Sequence, residues 1–400
     1  MFRVLLRSHP NICNSKHNRY WLRVIDSKVQ IKNMSKTNHH YVPQFYLRLF
    51  GSDVNSSGHK KSRRIHLYNL AREKSFHSVS LTDQCYRRHF HGKGEEIENA
   101  LAEIESRIAP TIQQIVLNSK LPRSDSQAHE DILTFVAYQM IRTPHEIKRL
   151  SDKTSLILKE SEKFSNGKIE RVQKNHIFMV LKKAPLLISQ IRDLKIALLY
   201  SNSIPFITSD HPVYKYNQLY EHIHETSFRG TGVVGIQIVI PLSPHHSLLL
   251  YDGAIYRINK NSQSSANQID YINLTSTDVS NLNACQIVNA ETNLYFSEEA
   301  YGSQIGELIR SWKDVRQDNV ARVRTHGKYK LVHDVPDLIK LELSCLSLNK
   351  LGLRILRQEN LKEKNLFRTG KVDMTRPEVR HVVHDMKRLW KSHRINNLPL

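Results

Sequence analysis

The sequence predicts an α+β fold: an N-terminal helical half, then a mostly antiparallel sheet, then a basic C-terminal helical extension. Two observations lead there. Between Glu95 and Ile191 apolar residues recur every three or four positions, the period of a helix face. From Leu194 onward they alternate or run in short blocks, the period of strands. A third observation excludes the main competitor. Helices grouped before strands argue against the regular alternation of a parallel α/β sheet. The 400 residues are 40% apolar and 24% charged, the composition of a folded, soluble chain. No run reaches the roughly 18 apolar residues of a membrane span, so no membrane partner is expected.

The elements follow in order. In residues 38–50 Pro43 fixes an extended entry, and Phe45/Leu49 and Tyr46/Phe50 then fit two apolar helical stripes. Residues 65–70 alternate and read as a strand. Ile97, Leu101, Ile104, Ile108, Ile112 and Ile115 define an amphipathic helix with acids in its first turns, and Pro110 is expected to kink or split it. Ser124-Asp125 offers the next N-cap, for a helix carrying Ile132 to Arg142. A third helical pattern covers residues 169–191. Residues 194–200 and 204–208 read as a hairpin around Ser201-Asn202-Ser203, and residues 233–240 pair with 247–251 around Pro241 to Pro244. Thr275 or Ser276 caps a helix to Ala290, and residues 293–297 form a short strand. Residues 338–356 and 376–390 read as helical.

Charge divides the chain. Residues 1–93 carry a net charge of +14, residues 94–309 a net of −4, and residues 310–400 a net of +11, within a total of +21. Basic ends suit a polyanion, because each neutralised phosphate releases counterions. Nucleic acid is one expected partner, and a solvated surface that keeps the protein in solution is the alternative reading of the same charges. The four cysteines are widely spaced without any CxxC, which fits a reducing cytoplasmic setting rather than a disulfide scaffold. Residues 1–33 contain Arg3, Arg7, Arg19 and Arg23 against a single acid, Asp26. They read as a disordered extension, or as lying before a natural start at Met34, with a targeting peptide as the other option. The expected division is therefore 1–33, a main domain over 34–312, and a basic region over 313–400.

Chemistry-bearing residues concentrate in a few motifs. His39 and His40 precede Pro43. In an extended chain they point opposite ways, so one imidazole would face a metal or a proton transfer. Asp210, in Ser209-Asp210-His211-Pro212, stands at a strand end, a position that suits a ligand, a general base or a local turn. Gln139 and Arg142 lie three apart on one helix face and need partners if buried, such as Asp210 or a phosphate. Asn283 is a lone polar residue on a later helix. Several signatures are absent: no GxxxxGK[ST], GxSxG or HExxH occurs. Gly230 to Gly235 spells GxGxxG, but it leads into a strand, the wrong context for a dinucleotide.

The run HHYVPQFYLRLF, then Gln139 with Arg142-Thr143-Pro144, then FITSDHPV (206–213), PLSP (241–244) and LNACQIVNA (282–290) together resemble the family catalogued as domain of unknown function 4238. The resemblance covers about residues 36–300 and implies a domain identity but no reaction. Two functions stay open. One is a metal-dependent nucleic-acid hydrolase, a nuclease or phosphodiesterase. In it His40, Asp210, Arg142 and Gln139 are catalytic, and His39, His40 and Asp210 hold a divalent metal ion. Tyr41, Gln44, Arg48, Ser209 and Asn283 then bind substrate. The other is a non-catalytic nucleic-acid-binding or regulatory module in which the same polar residues lock the core.

Overall fold

The structure, a computed structural model, describes residues 38–51, 63–91, 96–149, 183–221, 230–259, 270–297, 302–312, 315, 322–326, 329–333, 340–362 and 374–382. The expectations for residues 1–33, and for most of the 169–191 and 376–390 helices, fall outside them. The architecture is α+β, with mostly antiparallel sheets.

The chain opens with β1 (Asn38–His40), a one-turn helix α1 (Gln44–Leu47) and a 3-10 turn over Arg48–Phe50. The hairpin β2 (Arg64–Asn69) and β3 (Lys74–Ser80) follows, and β4 (Tyr86–Arg88) pairs antiparallel with β1. Strands therefore precede the helices here, and the N-terminal half is less purely helical than the periodicity implies.

Helix α2 (Glu96–Asn118) passes through Pro110 without a break. A proline inside a helix costs about 3 kcal/mol. Leu101, Ile104, Ile108, Ile112 and Ile115 are each at most 4% exposed, and burial of such side chains is worth about 1.5–3 kcal/mol apiece, so packing outweighs the proline. Helix α3 (Gln127–Ile141) is capped by Ser126, which accepts from the His129 amide, one residue later than Ser124-Asp125. Asp125 instead pairs with Arg123. Helix α4 (Ala184–Ile191) completes the layer.

A five-stranded sheet packs on these helices. It contains β5 (Lys195–Tyr200), β7 (Tyr214–Tyr216), β8 (Gln237–Pro241), β9 (His246–Tyr251) and β11 (Ile272–Asn273), in the order β11-β5-β9-β8-β7; only β11–β5 is parallel. Leu198, Ile238 and Leu248 join the core of α2–α4, while Leu199, Val239 and Leu249 face a second core. That second core takes in α5 (Ser276–Asn289) and residues 341–346. Both faces are buried, which is why these strands read as apolar blocks rather than strict alternation.

Two expected elements do not form. Residues 204–208 do not pair back on β5, whose two edges are taken by β9 and β11. Pro205 has no amide to donate. The Phe206 amide donates to the Pro244 carbonyl and the Ile207 amide to Asn283, so only β6 (Thr208–Ser209) is strand. It joins β12 (Asn293–Phe296) in a second sheet, ordered β3-β2-β12-β6. Residues 340–348, within the expected 338–356 helix, are also not helical. There β13 (Leu346–Leu348) pairs with β10 (Tyr256–Ile258), and Asn349 then caps a helix over Lys350–Lys362. Further on, Arg376 is 1% exposed and donates to Asp193 and to the Thr231 and Val233 carbonyls. It fastens the C-terminal segment to the core.

Candidate functional site

Alternation along β1 separates the two histidines. His39 turns inward at 2% exposure, and His40 is half-buried on the other side. His39 Nδ1 accepts the His91 backbone amide at 3.0 Å, and the two rings stack with centroids 5.3 Å apart and planes 15° from parallel. His91 lies just beyond β4, so the β1–β4 pairing sets this approach. Its Nδ1 stands 2.8 Å from Glu98 Oε2, in the first turn of α2. His39, His91 and Glu98 each offer a ligand atom, and these atoms all lie within 4.8 Å of one another. Burial pushes His91 down to about 4. Burial alone would raise Glu98. The hydrogen bond and charge of His91, with His39 and Arg142, outweigh it and hold the carboxyl below its usual range.

His40 makes different contacts. Its Nε2 lies 3.2 Å from the Thr82 carbonyl and 3.1 Å from Gln44 Nε2, and burial lowers its pKa. Gln44 in turn accepts from Arg48 at 2.9 Å. These three residues form one chain of contacts beside β1.

Arg142 and Gln139 reach the same motif from α3. Arg142 donates to Glu105 at 2.6 Å and to the His40 carbonyl at 2.5 Å. Gln139 donates to the Tyr41 carbonyl at 3.3 Å. Together they satisfy two carbonyls of the strand-to-helix entry. Their remaining polar atoms, Arg142 Nε and Gln139 Oε1, are buried without a hydrogen-bond partner and line a small cleft with Phe45, Leu101, Ile104 and Phe135. Arg142 is 3% exposed, so this guanidinium serves the fold before it could clamp a phosphate.

Asp210 is spent on backbone. Its carboxylate accepts the amides of Glu291, Thr292 and Asn293 at 2.7 to 3.0 Å, closing the turn between α5 and β12. Burial raises its pKa to about 6 against the pull of those amides. The rest of the 205–213 segment is bound by α5. Asn283 accepts from Ile207 and donates to the Pro205 carbonyl, each at 3.0 Å. Gln286 donates to the Pro212 carbonyl at 2.8 Å and accepts from Ser209 at 2.9 Å. An irregular segment lacks ladder partners, so side-chain amides of the neighbouring helix supply them. Tyr46 ties a further pair of motifs together, because its buried hydroxyl lies 2.6 Å from Thr208 Oγ1 and donates to the Pro241 carbonyl at 2.7 Å.

The five sequence motifs thus form one hydrogen-bonded junction, and a family model described as "Protein of unknown function (DUF4238)" matches residues 38–300, which contain all of them. This chain belongs to the DUF4238 family. No curated protein and no solved structure gives a match. Among the described DUF4238 residues no helix is long and apolar enough to cross a membrane. The DUF4238 junction joins Arg142 to His40, Gln139 to Tyr41, and Asn283 to the segment carrying Ser209 and Asp210. It brings His39 together with His91 and Glu98, which sequence reasoning missed. The available signal was faint: His91 and Glu98 flank the Gly92–Gly94 break that precedes α2.

Proposed function

We propose that this chain is a nucleic-acid-binding module in which the motif residues chiefly lock the fold. The observation that carries the reading is a set of exposed cations on the first hairpin and the strand after it. Arg63 and Arg64 stand at the open end of β2–β3, Arg72 and Lys74 at its turn, and Arg87 and Arg88 on β4. Arg72 and Lys74 lie over Phe76, 6.0 and 5.7 Å from its centroid, and Arg87 lies 5.9 Å from that of Phe90. Cations beside part-exposed rings offer a phosphate contact and a base-stacking surface together. Residues 63–91 hold only two acids, Glu73 and Asp83, so the local field favours a polyanion. Arg142 and Asp210 support the non-catalytic side of the reading, since their charges are used inside the protein.

Fluorescence anisotropy with a labelled oligonucleotide across a salt series tests this. Binding should weaken linearly in log salt. For a duplex, Arg72→Ala with Lys74→Ala should flatten the slope by about 0.9 for each phosphate that is no longer neutralised. Absence of binding by the intact chain at low salt overturns the reading.

One observation favours a second reading, metal-dependent hydrolysis of nucleic acid. The His39–His91–Glu98 group has the ligand types of a hydrolytic centre, where an ion activates water. Metal-stimulated cleavage of an oligonucleotide, abolished by His91→Ala, is its expected signature. Cleavage that survives in a folded His91→Ala protein removes it.

A further inference from the structure

We infer that His39, His91 and Glu98 bind one divalent transition-metal ion of the zinc class. This inference is independent of nucleic-acid binding, whereas the hydrolase reading depends on it. The donor set is two imidazoles and one carboxylate, which suits borderline cations and disfavours magnesium, an ion that prefers oxygen ligands. Ligand atoms at about 2.1 Å around a tetrahedral ion lie about 3.4 Å apart. The three here lie within 4.8 Å of one another, so small side-chain rotations close the set.

The mounting is rigid where a metal site needs it. His39 sits on β1, which is paired to β4; its Nδ1 lone pair accepts the His91 amide, and His39 ligates by exchanging that hydrogen bond for the ion. His91 is held through Nδ1 by Glu98, while its Nε2 is buried without a hydrogen-bond partner. A buried nitrogen with no partner is costly as it stands and becomes satisfied once a cation takes its lone pair. Whichever nitrogen the ion uses, Glu98 serves, as a direct ligand or as the carboxylate that orients the ligating ring. Both histidines are 2% exposed, and the Glu98 side chain is 18% exposed, so the group is sheltered yet reachable. One carboxylate and two neutral imidazoles leave a single negative charge to meet the ion. Nearby Arg142 already faces Glu105, which limits its repulsion of a cation. With Glu98 as a direct ligand, three protein donors leave a four-coordinate ion one position for water; with Glu98 orienting His91, the two imidazoles leave two.

Isothermal titration calorimetry on the chelator-treated full chain tests the site, with zinc and magnesium as the titrants. One zinc equivalent should bind at micromolar affinity or tighter, and magnesium at least about 100-fold more weakly. Glu98→Gln should weaken zinc at least about tenfold, and His91→Ala more. Cobalt supplies a spectroscopic reading: the visible bands of the bound ion should shift in Glu98→Gln and vanish in His91→Ala. His246→Ala, at a buried histidine elsewhere, should leave binding unchanged. Circular dichroism melts show which variants are folded. If His91→Ala is unfolded, Glu98→Gln decides, because it keeps the shape and one acceptor oxygen. No saturable zinc binding by the intact chain overturns the inference. So does unchanged zinc affinity together with an unchanged cobalt spectrum in folded Glu98→Gln.

Discussion

Arg142 and Asp210 are charges a sequence reading selects for chemistry, and each closes a gap in the backbone. Arg142 holds the His40 carbonyl and Glu105, and Asp210 holds three consecutive amides. Removing one partner from such an arrangement leaves the other buried and unpaired. For Arg142→Ala the stranded groups are the His40 carbonyl and a Glu105 that is 28% exposed. The expected loss is about 2–4 kcal/mol, below the top of the range for a fully buried pair because water reaches Glu105. Chemical denaturation of Arg142→Ala and Glu105→Gln measures it. The glutamine variant should lose less, since it keeps an acceptor. A loss under about 0.5 kcal/mol for Arg142→Ala, the level of an ordinary surface substitution, would return this side chain to the candidates for ligand contact.

At the scale of elements, local chemistry decides where segments start and turn. Helix α5 begins with a full capping box, Thr275 accepting from the Asp278 amide while Asp278 accepts from that of Thr275. The turn before β8 depends on Gly235. Its φ is +78°, and a Cβ there would meet Leu219 Cδ1 at 2.7 Å and Asn217 Oδ1 at 2.9 Å. The Gly235 amide also donates to Asp252, and its carbonyl accepts from the Tyr256 hydroxyl. Gly235→Ala therefore combines left-handed strain, about 1–2 kcal/mol, with a clash that the packed Leu219 cannot yield to freely. Gly235→Ala should lower the melting temperature, whereas Gly306→Ala should hold or raise it, because Gly306 lies inside the helix Gly302–Trp312, where alanine is favoured over glycine, and a Cβ there meets only the end of Arg310, at 3.7 Å. Equal melting temperatures for the two variants would contradict the assigned turn.

Across the whole molecule, burial holds many histidines neutral. His40, His129, His145 and His211 are all shifted down by burial, and His91 and His246 are pushed down to about 4. The unfolded chain takes up these protons near pH 6.5 and the folded chain does not. Stability is thus greatest above pH 6.5 and falls as pH drops from 6.5 toward 4, by up to about 3 kcal/mol for His91 alone. Asp210, raised to about 6, and Asp252, also raised by burial, act in the opposite sense. Their contribution is greatest below the unfolded carboxylate value and is lost as pH rises through the folded one. Six histidines outweigh two carboxylates, so the melting temperature should fall between about pH 7 and about pH 5. High salt in both samples screens the repulsion of a chain at +21. A melting temperature that rises on acidification would contradict the burial of this histidine set.

The division between sequence and tertiary structure follows from the reach of each signal. The α+β class, helices α2 and α3, the β8–β9 hairpin, the Thr275 cap and the opposed directions of His39 and His40 were all legible in the sequence. Each is written in spacings of two to four residues, because that is the range over which one face of a helix or strand is buried or a cap is made. Family membership was legible too, since five motifs keep their types and order. The partners of the motif residues were not legible. The 204–208 segment reads as the second half of a hairpin until Pro205 and the claims of β9 and β11 on β5 are known. Asp210 reads as a ligand, a general base or the former of a local turn, and nothing near it in sequence names the three distant amides it binds. His91 stands 52 residues from His39 and shares no period with it, so only the β1–β4 pairing brings them together and only the start of α2 adds Glu98. Local periodicity records which faces are buried, whereas the side chains that meet across a core are chosen by the packing of whole elements.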